Sequence, residues 1–90
     1  MSIVDNAARS RFEYLVDGRT AFINYRRTPG VVALTHAEVP PEIEGRGVGS
    51  HMAREVLDAI RVSGEKVIPQ CSFVETFIRR NPEYQDLLAK

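Results

Sequence analysis

Cys71 is the only cysteine in the 90 residues of this sequence, and tryptophan is absent. A single thiol cannot close an internal disulfide, and it cannot build a cysteine-rich zinc site. A reduced, cytoplasmic setting and no bound metal are therefore expected. Excess charge is also lacking, because 12 Lys and Arg balance 12 Asp and Glu. That balance argues against a partner held by bulk attraction to phosphate, so nucleic acid is not expected. No apolar run approaches the roughly 20 residues of a membrane span. The opening residues, MSIVDNAARSR, lack the apolar centre of a leader peptide. No membrane partner is expected either.

What is present is an ordinary globular composition, 43% hydrophobic and 27% charged. The length gives room for one small domain with one core, spanning 1–90. Residues 1–10 read as a loose start. RFEYLV then alternates, with Phe12, Tyr14 and Val16 on one face of a strand. Asp17 and Gly18 signal a turn. TAFINYRRT is a second strand, with Ala21, Ile23 and Tyr25 sharing a face. After Pro29 and Gly30, VVALTHAEV is a third. Its alternation puts Val32, Leu34, His36 and Glu38 on one face, with Val31, Ala33, Thr35, Ala37 and Val39 on the other. Short turns join the three into an antiparallel meander.

Beyond Pro40 and Pro41 the period changes. Val48, Met52, Val56 and Ile60 recur every four residues, flanked by Ala53 and Leu57. This is the apolar stripe of a helix that covers a sheet. Ser63 and Gly64 end it, and KVIPQ supplies a fourth strand parallel to the third. Ser72 and Glu75 have the spacing of a capping box at the start of a second helix. Asn81 and Pro82 open a short last helix. The expected order is β-β-β-α-β-α-α, an α/β sandwich on a mostly antiparallel sheet.

Between the third strand and the first helix lies EGRGVGS, Glu44 to Ser50. Amides of such a loop point the same way as the helix N-terminus, which suits an anion. A diphosphate needs several donors at close range, and side chains at Gly45, Gly47 and Gly49 would obstruct it. A nucleotide-binding P-loop ends in Gly-Lys-Ser or Gly-Lys-Thr, whereas Gly49 is followed by Ser50 and His51. A dinucleotide fingerprint needs a third glycine where Ser50 or Met52 stands. A glycine-rich turn that serves packing alone is the remaining alternative.

The stretch PPEIEGRGVGSHMAREVLDAI resembles the pyrophosphate loop and following helix of the GNAT N-acetyltransferase superfamily. That motif reads Arg/Gln-x-x-Gly-x-Gly/Ala, and here Glu44, Gly47 and Gly49 occupy its first, fourth and sixth places. THAEVP, EGRGVGS, VIPQCSFV and NPEY, in this order, are similar to the very small GNAT-like proteins of the YjdJ type. The likeness runs from about Tyr14 to Leu88. It implies acetyl-CoA, or CoA as its product, as co-substrate and an amine as acceptor. It also implies one parallel strand pair at the acyl-CoA cleft, with the helices that usually wrap the acceptor missing between Val16 and Thr20.

On this resemblance the loop from Glu44 through Gly45, Arg46, Gly47, Val48 and Gly49 to Ser50 holds the cofactor. Arg80 or its neighbour Arg79 is a further phosphate contact. The amide of Val39 donates to the thioester oxygen. Phe73 and Phe77 line the pantetheine channel, or are simply core. Cys71, beside a helix N-terminus that favours thiolate, protonates the departing sulfur, accepts the acyl group, or is a small buried residue. His36 and Glu38 are candidate general bases or ordinary strand residues. An acetyltransferase, monomeric or weakly dimeric, is the expectation. The alternative is an acyl-CoA-binding or protein-interaction module without catalysis.

Overall fold

The computed structural model describes residues 3–90. Strands β1 (Ile3–Asn6), β2 (Arg11–Val16), β3 (Arg19–Thr28) and β4 (Val31–Glu38) precede helix α1 (Val48–Ser63). Strand β5 (Lys66–Pro69), helix α2 (Ser72–Arg80) and a 3₁₀ turn (Pro82–Leu87) follow. One five-stranded sheet holds the strands in sequence order. Every pair is antiparallel except β4 and β5, which run parallel as the crossover through α1 demands.

The alternating residues meet the helices on one face. Phe12, Tyr14, Val16, Ala21, Ile23, Tyr25, Val32, Leu34 and Val67 join the buried residues of α1 and α2 in a single core. The four-residue stripe of α1 is buried throughout, from Val48 to Ile60. α2 adds Val74, Phe77 and Ile78. The result is a two-layer α/β fold, helices on one side of the sheet.

Four local expectations need correction. Residues 3–6 of the expected loose start form β1, and Met1 and Ser2 lie outside the described residues. β1 pairs with β2 from Ile3 opposite Tyr14 to Asn6 opposite Arg11. Side chains anchor it too: Asp5 accepts from the Tyr25 hydroxyl and from Arg27.

The second correction concerns β4. Tyr25 opposes Leu34 but Asn24 opposes His36, so Thr35 is an extra, bulged residue. The bulge shifts the alternation by one. Ala37 opposes Ile23 on the helix side, while His36 and Glu38 oppose Asn24 and Phe22 on the outer face.

The third and fourth concern helix ends. Ser72 is the first helical residue of α2, and Cys71 precedes it without a side-chain cap. Glu75 donates its amide to the Cys71 carbonyl at 3.0 Å, which is the first bond of the helix. Asn81 does not cap the last element, which is 3₁₀ rather than α. Its side-chain amide closes α2 instead, donating to the Phe77 carbonyl at 2.8 Å.

Candidate functional site

β4 and β5 pair only from Val31 to Leu34 and from Lys66 to Pro69. The Leu34 carbonyl accepts the amides of both Gln70 and Cys71, each at 3.0 Å, and the ladder stops there. β4 continues to Glu38, so the edge beyond Leu34 has no strand beside it on the β5 side. β5 ends at Pro69, and a cavity of about 380 Å³ lies beside the unpaired end of β4.

Ala37 and Val39 form one wall of this cavity, and Phe73 at the start of α2 forms another. The third is the loop, through Glu44, Gly45, Gly47, Val48, Gly49 and Ser50. Gly47 precedes the first residue of α1 in the left-handed region, φ 72°, and no side chain caps the helix among the described residues. The first backbone bond of α1 runs from the His51 amide to the Gly47 carbonyl, 3.0 Å. The amides of Val48, Gly49 and Ser50 therefore lack partners within the helix.

Gly49 serves a different purpose. It already lies in α1, and a β-carbon there would stand 3.0 Å from Cζ of Phe73 and 3.7 Å from Cγ2 of Val39. The bare backbone lets the Phe73 ring lie against the helix and shape the cavity.

Arg46 points elsewhere. Its guanidinium pairs with Asp17 in the β2–β3 turn at 2.7 Å, beside a smaller hollow lined by Tyr14, Val16, Val48 and His51. Phe77 and Arg80 line a second cavity of about 280 Å³, which shares Ser50 and Phe73 with the first. Phe77 is also core, with its ring 6.0 Å from that of Tyr84. Cys71 is half-buried against the core and lines none of these cavities.

His36 and Glu38 sit together on the outer face, Nε2 and Oε1 3.4 Å apart and well exposed. Their neighbours there are Phe22 and Arg11, the latter stacked 4.4 Å over the Phe22 ring. Among the described residues, no three His, Cys, Asp or Glu side chains gather as a metal would require. Among the described residues, no helix is long and apolar enough to cross a membrane.

Ala37 is the lining residue that strict alternation misses. Spacing does not reveal it, because Val31 and Ala33 are apolar at the same parity as Ala37 and Val39.

Comparison with known proteins bears on this geometry. The family described as GCN5-related N-acetyl-transferase matches residues 11–87. Protein NATD1 of Bos taurus is 33% identical over 52 residues, which are 58% of this chain and 46% of the relative. NATD1 of Mus musculus matches at the same identity over 58% and 47%. The matched stretch thus spans about half the length of these curated relatives. A GCN5-like protein from Staphylococcus aureus, solved by NMR, superposes with a TM-score of 0.73 at 26% identity. That superposition covers 98% of this chain and 87% of the other.

Proposed function

This chain belongs to the GCN5-related N-acetyltransferase family, and from that premise we propose that it transfers an acetyl group from acetyl-CoA to an amine. One observation carries the reading. The cavity lies beside the end of β4 that runs on past β5, with the unpaired amides of the first turn of α1 in its wall.

The residues fit the cofactor. The amides of Val48, Gly49 and Ser50, with the side-chain-free backbone at Gly45 and Gly47, would hold a diphosphate. Phe73 and Val39 would flank the narrow arm that follows it, and the edge of β4 has amides to offer where β5 has left. Acetyl-CoA would supply the acyl group as a thioester, whose C–S bond breaks as the amine forms the amide C–N bond, with the CoA thiolate leaving.

The rest falls to this chain. The Val39 amide, donating to the thioester oxygen, would stabilise the charge that develops there. Glu38, or His36 beside it, would take the proton of an amine that approaches from the outer face. Cys71, half-buried and lining none of the cavities, has no step, and the departing thiolate would take its proton from water. We assign the reaction to the cytoplasm, on the chain's one free thiol.

A second reading, an acyl-CoA-binding module without turnover, is favoured by one feature. Glu44 lines the cavity beside the proposed diphosphate and carries no ion pair among the described residues, where a cation would help.

A thermal melt tests both readings. At about 100 times its dissociation constant a ligand adds roughly 2.7 kcal/mol, a rise on the order of 10 °C in a domain this small. Acetyl-CoA and CoA should give that rise and NAD should not. Release of CoA with any amine in a broad panel would then remove the binding-module reading. No rise with either CoA species would sink both.

A further inference from the structure

The cleft does not end at the loop. Ser50 and Phe73 belong to both the cavity beside the end of β4 and a second one, whose lining includes Arg54, Thr76 and Arg80. Ser50 and Arg54 are one turn apart on α1, about 6 Å along the axis. A ribose spans a similar distance between a 5′-diphosphate and a 3′-phosphate.

The cations around this second cavity differ in their commitments. Arg54 is engaged, with Nη1 on Glu83 and the Tyr84 hydroxyl and Nη2 on Asn81 Oδ1, all at 3.2–3.3 Å. Arg79 donates to the Thr76 hydroxyl at 3.3 Å. Arg80 is exposed at the end of α2 and makes no ion pair or side-chain hydrogen bond among the described residues. The helix dipole favours a cation there, but it does not explain why that cation lines a cavity continuous with the loop.

We propose that Arg80 reads the 3′-phosphate of CoA, so that this chain distinguishes CoA from 3′-dephospho-CoA. The inference rests on the acyl-CoA reading above and adds a specificity to it. A guanidinium can face a phosphate monoester with two parallel donors. No carboxylate lines this cavity, and Glu83 is paired with Arg54 at 3.3 Å.

Isothermal titration with CoA and 3′-dephospho-CoA tests this on the whole chain. The parent protein should prefer CoA about fivefold, which corresponds to about 1 kcal/mol for a solvent-exposed charge pair. The preference should shrink as salt is raised. Arg80→Gln should bring the ratio to about one by weakening CoA while 3′-dephospho-CoA binds as before, and Arg80→Lys should keep part of it. A melt of each variant without ligand checks that the fold is intact. Equal affinities in the parent protein, or a preference that survives Arg80→Gln, would overturn the assignment and leave the acyl-CoA reading standing. Binding of neither ligand would remove both.

Discussion

At residue 49 the missing β-carbon decides how close Phe73 can lie to α1. Alanine there would meet Cζ of the ring at 3.0 Å, so the ring must swing. It can, because Phe73 is 38% exposed. Relieving a helical glycine is worth roughly 0.5–1 kcal/mol, which offsets the displacement. Gly49→Ala should therefore leave the melting midpoint of the free protein within a few degrees of the parent, while the ring moves and the CoA-induced rise falls by half or more. An unchanged rise would show that Phe73 does not shape the binding cavity. Gly47→Ala should behave differently, because φ 72° costs a residue with a β-carbon about 1–2 kcal/mol, so the free protein itself should melt lower. Spacing alone assigns all three glycines to a bound anion. The structure separates their reasons, since Gly45 and Gly47 are held by positive φ and Gly49 by the Phe73 ring. On the acyl-CoA reading, Glu44, which lines the cavity, would oppose a bound diphosphate. Removing its charge in Glu44→Gln should tighten CoA about two- to fivefold, the range of one exposed charge interaction, as titration calorimetry would read. Weaker binding would mean that Glu44 faces away from the diphosphate.

Elements were legible where burial imposes a period. The α1 stripe and the core faces of β2 and β3 follow their sequence spacing, because each covers or is covered by the same core. β1 and the bulge in β4 were not legible, for separate reasons. β1 runs partly exposed, exposed, exposed, partly exposed, so no apolar alternation announces it. Its backbone pairing and the bonds of Asp5 hold it instead. Asp5→Ala would strip the Tyr25 hydroxyl and Arg27 of one partner each. The loss should be about 1–2 kcal/mol, seen as a lower urea midpoint with CoA affinity unchanged. No change in midpoint would mean that backbone pairing alone retains the strand. The bulge hides because Thr35 is as good a strand residue as its neighbours. Its consequence is functional. One extra residue brings Ala37 and Val39 to the cavity and turns His36 and Glu38 to the outer face, so the glycine loop and the two proposed bases lie on opposite sides of the sheet. An acceptor meeting those bases must come from the side that no helix covers. The loop was legible as a unit. The side of the sheet on which each β4 side chain emerges was not, since a local register decides it.

The whole molecule is tied together by its tyrosines. All three in the sequence are buried, Tyr14 at 4%, Tyr25 at 8% and Tyr84 at 4% exposure. Each joins different elements beside a carboxylate: Tyr14 of β2 with Glu55 of α1, Tyr25 of β3 with Asp5 of β1, and Tyr84 of the last turn with Asp58 of α1. Burial first, and then the adjacent carboxylate, raises all three hydroxyls above the ordinary tyrosine value. The direction fixes the sign. Above pH of about 10, the unfolded chain sheds three protons that the folded chain retains, so stability present below that pH is lost as pH rises toward the folded values. Stability from urea unfolding should thus hold from neutrality to just under pH 10 and then fall, by at most about 4 kcal/mol per pH unit when three protons are linked. Tyrosinate absorbance should appear together with loss of helix signal. Absorbance rising at an ordinary midpoint while the helix signal persists would mean that the hydroxyls are open to water, and that the sheet, its first strand and its helices are joined by packing alone.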